Sequence, residues 1–99
     1  MRLSPDDVLA IRRTVTAMLG EEVHIVLFGS RVDDTAKGGD VDLMIGTVHP
    51  TPRPAYTAAL LSARLSRVLG GRSVDVVLDT PETRPQAIHE IAKRKGITL

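Results

Sequence analysis

The first strong hydrophobic pattern along the chain is that of an amphipathic helix near the N-terminus. Ser4 can cap a helix that opens with Pro5, where the missing N–H of proline costs little. Apolar residues then recur at helical spacing as far as Gly20, a residue suited to a helix C-cap. The next segment, VHIVLF from Val23 to Phe28, is β-branched and almost wholly apolar, which is typical of a strand covered on both faces.

The remaining pattern alternates between the periods of strands and helices. The predicted elements are, in chain order, a strand over 41–45, a proline-rich loop over 46–54, a helix over 55–69, a strand over 74–78, a third helix marked by apolar positions over 87–92, and a short edge segment over 97–99. The order αββαβα predicts an α/β fold in which a small mixed sheet is packed with helices. A chain of 99 residues is expected to form a single domain, residues 1–99.

Composition limits the partners that this domain can recognise. The formal net charge is +1, so no global field attracts nucleic acid or an anionic membrane. Phe28 and Tyr56 are the only aromatic residues, and sequence-specific reading of stacked bases is therefore not expected. The chain has no cysteine and no apolar run near the roughly 20 residues that span a bilayer. We expect a cytoplasmic protein without a membrane segment.

Chemistry concentrates in the stretch FGSRVDDTAKGGDVDLMIG, residues 28–46, where four aspartates fall within ten residues. Asp40 and Asp42 enter a predicted strand with a spacing that points both carboxylates to one face, about 6–7 Å apart along the strand. Carboxylates so placed repel each other unless solvent, a proton or a cation intervenes. Mg²⁺ often binds one or two carboxylates together with substrate phosphates, so the pair predicts a magnesium site.

The Gly29-Ser30 turn supplies a second half to this candidate site. A glycine allows the backbone to approach a ligand closely, and the turn offers N–H groups and the Ser30 hydroxyl to phosphate oxygens. Arg31 adds positive charge beside them. Asp75, on a later predicted strand, is the candidate for a third carboxylate, although Asp79 has the same strand parity and competes with it.

Each of these features also has an ordinary structural explanation. A Gly-Ser pair after a strand is most often a turn, and an Asp-x-Asp pair is more often a solvated strand edge. Asp33 and Asp34 are assigned to solvation of the loop or to a local helix cap. The combination of the turn, the carboxylate pair and a carboxylate on a later strand is what favours a functional site.

The motif GSRVDDTAKGGDVDL resembles the signature of the nucleotidyltransferase superfamily that includes DNA polymerase beta, in which Gly-Ser is followed at a short distance by Asp-x-Asp. The VDVV stretch matches the position of that family's third carboxylate. The length of the chain and the lack of an appended domain are similar to those of the minimal nucleotidyltransferases. The resemblance implies the nucleotidyltransferase fold, with Gly29, Ser30, Asp40, Asp42 and Asp75 in the matching roles.

The resemblance further implies a substrate, a cofactor and a partner. ATP would donate AMP, two Mg²⁺ ions would be held by Asp40, Asp42 and Asp75, and Ser30 with the backbone near Gly29 would hold the terminal phosphates. Minimal members commonly act as the antitoxin of an all-helical HEPN ribonuclease toxin and transfer AMP to a tyrosine of that toxin. Two alternatives stay open: a non-catalytic antitoxin that neutralises its partner by binding, and, less favoured, an adenylyltransferase of small molecules such as antibiotics.

Overall fold

Two helices pack on one face of a four-stranded mixed sheet in the computed structural model, which describes residues 3–29, 41–81 and 96–99. The elements are α1 (Pro5–Leu19), β1 (Val23–Phe28), β2 (Val41–Thr47), α2 (Pro54–Val68), β3 (Val74–Asp79) and β4 (Ile97–Thr98). The predicted α/β class, the small mixed sheet and the short edge strand near the C-terminus are confirmed. The third predicted helix falls on residues outside the described ranges.

Helix α1 begins and ends where its local chemistry predicts. The Ser4 hydroxyl accepts a hydrogen bond from the Asp7 N–H at 3.1 Å, and the Asp7 carboxylate accepts one from the Ser4 N–H at 3.1 Å, which completes a capping box. At the other end the Gly20 N–H donates to the Thr16 carbonyl at 2.9 Å. Ile11 and Val15 form the buried face of the helix. In the part of the chain that the structure describes, no helix is both long and apolar enough to cross a membrane.

The strand order is β3-β2-β1-β4. Strand β1 runs antiparallel to both β2 and β4, whereas β2 and β3 are parallel. Parallel neighbours need a crossover connection, because the chain must return to the starting edge of the sheet. Helix α2 lies in that connection and packs on β3 through buried Leu61 and Leu65.

The two faces of the sheet have different surroundings. The face toward the helices carries fully buried residues such as Ile25, Leu43 and Ile45, which join the main core with both helices. The other face carries a smaller apolar cluster centred on Phe28 and Met44. The residues of β2 therefore alternate between the two faces, with Val41, Leu43 and Ile45 in the main core and Met44 in the smaller cluster. The sequence predicts a β1 covered on both faces, and the structure departs from this at His24, which is exposed, whereas Phe28 on the same face is buried.

Strand β2 is longer than predicted. The sequence predicts a loop from Gly46 onward, yet Gly46 and Thr47 continue the strand. Gly46 pairs with His24 of β1 on one side and with Asp79 of β3 on the other. Pairing on both sides outweighs the poor strand propensity of glycine, so the loop begins only after Thr47.

The main core predicts a strong dependence of stability on leucines of the helical layer. We expect Leu65→Ala to lower the free energy of unfolding by about 2–5 kcal/mol, because Leu65 is fully buried and its truncation leaves a cavity. Leu9→Ala is the matched control, since Leu9 is a helical leucine that is 46% exposed. Urea unfolding followed by circular dichroism measures both, and equal losses in the two variants would contradict the assigned core.

Candidate functional site

Asp42 and Asp75 lie side by side on one face of the sheet. They are register partners in the parallel pair of β2 and β3, and residues directly opposite each other on neighbouring strands project to the same face. The backbones of neighbouring strands are about 4.8 Å apart. The helices cover the opposite face, so both carboxylates point away from the main core.

Contacts on the helical side hold the starts of these two strands in place. Val41 and Val74, which precede the two aspartates, are buried in the main core. The Val41 N–H donates to the Ser73 carbonyl at 2.9 Å, which fixes the start of β2 against the residue that leads into β3. The Ser62 hydroxyl of α2 donates to the Val74 carbonyl and ties the helix to the start of β3. The spacing of the carboxylates is thus set by buried neighbours rather than by the carboxylates themselves.

Gly29 brings backbone directly against the Asp42 carboxylate. Phe28 is the register partner of Asp42 across the antiparallel pair, and Gly29 follows it with a φ of +76°. A Cβ atom placed on Gly29 would collide with Oδ2 of Asp42 and would lie 3.1 Å from its Cγ. The backbone conformation therefore favours glycine at this position, and an added Cβ would also displace the Asp42 carboxylate.

The donor set of this pair suits a hard cation. Asp42 is half-buried and Asp75 is exposed, so one carboxylate is partly removed from solvent while the other faces it. Two negative charges on adjacent strands repel each other, and a bound divalent cation offsets the repulsion. Among residues 3–29, 41–81 and 96–99 no group of three or more His, Cys, Asp or Glu side chains could hold a metal ion. Two carboxylates are sufficient for Mg²⁺, which usually binds one or two protein carboxylates and completes its coordination with water or substrate phosphate.

The other residues predicted for the site have different outcomes. Ser30, Arg31 and Asp40 lie outside the described residues, and so do Asp33 and Asp34. Asp79 is separated from the pair: it is the register partner of Gly46, four residues along β3 from Asp75, or about 13 Å. Asp79 therefore lies at the far end of the sheet and does not compete with Asp75.

A polar hollow beside Asp75 was not predicted from the sequence. It has a volume of about 410 Å³ and is lined mainly by small side chains, namely Ala59, Ser62, Ala63, Ser66, Ser73, Val74 and Asp75. We call it the serine hollow. Ser62 and Ser66 are one turn apart on α2, and this spacing is the sequence signal that could have indicated a polar stripe next to the start of β3.

No protein-family model matches the chain. The curated proteins include none that matches it significantly.

The contact between Gly29 and Asp42 predicts an unusually costly alanine substitution. Gly29→Ala adds both the strain of a positive φ, about 1–2 kcal/mol, and the collision with the Asp42 carboxylate. Gly70→Ala is the matched control, because Gly70 has a φ of +74° and nothing within 4 Å of an added Cβ. We expect Gly29→Ala to lower the free energy of unfolding by about 1–3 kcal/mol more than Gly70→Ala in urea titrations. Equal losses would show that the close approach does not exist in solution.

Proposed function

We propose that the protein is a Mg²⁺-dependent nucleotidyltransferase with the nucleotidyltransferase fold, similar to the minimal members of the polymerase beta-like superfamily. The observation that carries this proposal is the placement of Asp42 beside Asp75, with the backbone of Gly29 against the Asp42 carboxylate. Two carboxylates at one end of the sheet, next to the glycine turn, can bind a metal ion that in turn binds a phosphate. The motif in residues 28–46 supports the same assignment.

In this proposal each residue has a separate role. Asp42 and Asp75, with Asp40, hold the metal ions. The glycine at position 29 lets the chain approach the triphosphate, and Ser30 and Arg31 donate to its terminal oxygens. When bound, Mg²⁺ neutralises charge on the phosphates and lowers the pKa of the attacking hydroxyl. ATP is the proposed donor, and we propose that the protein acts in the cytoplasm, where ATP is abundant.

The proposed reaction is an in-line displacement at the α-phosphorus of ATP. The acceptor hydroxyl oxygen forms a bond to that phosphorus, and the bond to the bridging oxygen of pyrophosphate breaks. The proton of the acceptor leaves to Asp75, whose exposed carboxylate is open to solvent and to an incoming group. AMP ends on the acceptor, and pyrophosphate leaves.

We further propose that the acceptor is a tyrosine of a protein partner, an all-helical HEPN-type toxin for which this chain is the antitoxin. The exposure of Asp75 supports a macromolecular acceptor, because the carboxylate lies on an open surface rather than in an enclosed cavity that could retain a small molecule. Enzyme and toxin would form a heteromeric complex, without a membrane or a specific nucleic-acid sequence taking part.

Substitution of the carboxylates tests the proposal. We expect Asp42→Asn and Asp75→Asn each to lower AMP transfer at least about a hundredfold, because each removes a negative charge that holds the metal ion on which the phosphate depends. Asp79→Asn is the control, since it makes the same change on the same strand and face at the far end of the sheet, and transfer should stay within about twofold. The measurement is the intact mass of the neighbouring gene's product after incubation with this chain, ATP and Mg²⁺.

The same set of variants separates the proposed enzyme from a binding antitoxin. Loss of both AMP transfer and toxin neutralisation in Asp42→Asn supports an enzyme. Full neutralisation by this variant without any mass gain on the partner would contradict the proposal and favour neutralisation by binding. A loss in Asp79→Asn as large as that in Asp75→Asn would contradict the assigned site.

A further inference from the structure

A groove between the two helices collects arginine side chains. It has a volume of about 550 Å³ and is lined by Arg13, Thr14 and Ala17 of α1 and by Arg64, Arg67 and Val68 of α2. We call it the arginine groove. It belongs to the helical layer, whereas Asp42 and Asp75 project from the other face of the sheet. The groove is therefore separate from the candidate catalytic site.

The arginines of the groove differ from the others in the described ranges by having no partner there. Other arginines are engaged: Arg12 donates to the Leu99 carbonyl at 2.9 Å, Arg53 lies 4.7 Å from the Tyr56 ring centroid, and Arg72 pairs with Asp7 at 3.6 Å. In residues 3–29, 41–81 and 96–99, no ion pair joins Arg13, Arg64 or Arg67 to a carboxylate. Within the described ranges, the arginines without a carboxylate, carbonyl or ring partner are thus concentrated in this groove.

Beyond the first turn of α1, the helices supply no negative charge to balance them. Residues 8–19 of α1 and the whole of α2 contain no aspartate or glutamate. Arg64 and Arg67 are also three residues apart on the same helix, a spacing at which like charges weaken a helix. The arrangement does not stabilise the isolated fold, but an anionic ligand could form charge-assisted hydrogen bonds with the three guanidinium groups.

The apolar part of the groove indicates the class of ligand. Val68 is 46% exposed, and Ala17 is exposed on the facing helix, so apolar surface lies beside the arginines. A single-stranded nucleic acid would be held by aromatic stacking, and no aromatic residue lines this groove. Charge combined with apolar surface, in a groove between two helices, instead fits the amphipathic face of a third helix.

We propose that the arginine groove docks a helix of a partner protein whose face carries acidic residues three or four positions apart, next to small apolar residues. The carboxylates of that helix pair with Arg13, Arg64 and Arg67, and its apolar residues cover Val68 and Ala17. This interaction surface goes beyond the proposed enzymatic function and does not depend on it. It gives the chain a recognition surface on the layer opposite the catalytic face.

A peptide of defined charge tests the groove in the full chain. The probe is a fluorescein-labelled amphipathic helical peptide of alanine, leucine and glutamate, with glutamates at i and i+4, and the comparison peptide carries lysine at those positions. Fluorescence anisotropy should give tighter binding of the glutamate peptide, weakening as NaCl is raised. Equal affinity for the two peptides, or no binding of either, would overturn the proposal.

Charge reversal locates the binding. We expect Arg64→Glu to weaken binding of the glutamate peptide by about tenfold and Arg53→Glu, an exposed arginine outside the groove, by about twofold or less. The double variant Arg64→Glu/Arg67→Glu should prefer the lysine peptide, with circular dichroism unchanged from that of the parent chain. Equal effects of Arg64→Glu and Arg53→Glu would overturn the assignment to the groove. Tighter binding of a single-stranded RNA, lost in Arg64→Glu, would overturn the protein partner in favour of a nucleic acid.

Discussion

The parallel pairing of β2 with β3 is the constraint on which the candidate site depends. It makes Asp42 and Asp75 neighbours on one face, and it is maintained by apolar residues on the other face, where Val41 and Val74 join the helical core. The carboxylates do not select this arrangement, because their mutual repulsion opposes it. The core therefore holds the two carboxylates close together, and a divalent cation can bind them without a change in the fold.

The sequence predicts much of this frame and only part of the site. Ser4, Pro5 and Gly20 set the bounds of α1. Alternation along β2 places Asp42 on the sheet face opposite to that of Leu43. Alternation alone gives Asp75 and Asp79 the same face, and only the register of β3 against β2 decides that Asp75 is the one beside Asp42. The extension of β2 through Gly46 follows from pairing with two neighbours, a tertiary effect that a local pattern does not contain. The arginine groove arises in the same way, since α1 and α2 contribute to it from distant parts of the chain.

The fold assigns different chemistry to its two sides. One sheet face carries the carboxylates, with Gly29 against Asp42. The helical layer carries unpaired arginines and exposed apolar surface. A small domain can thus present a carboxylate site on one side and a recognition surface on the other, because the same core residues hold both in place. In our proposal the first acts on the acceptor and the second holds a partner helix.

The central claim is that Asp42 and Asp75 share a divalent cation with a nucleoside triphosphate. Substoichiometric Mn²⁺, added with a non-hydrolysable ATP analogue, broadens nuclear magnetic resonance signals of amides close to the bound ion. We predict strong broadening at Gly29, Asp42 and Asp75 and little at Gly46 and Asp79, about 13 Å along the strands from the pair. Broadening centred on Gly46 and Asp79, or none at the starts of β2 and β3, would contradict the account.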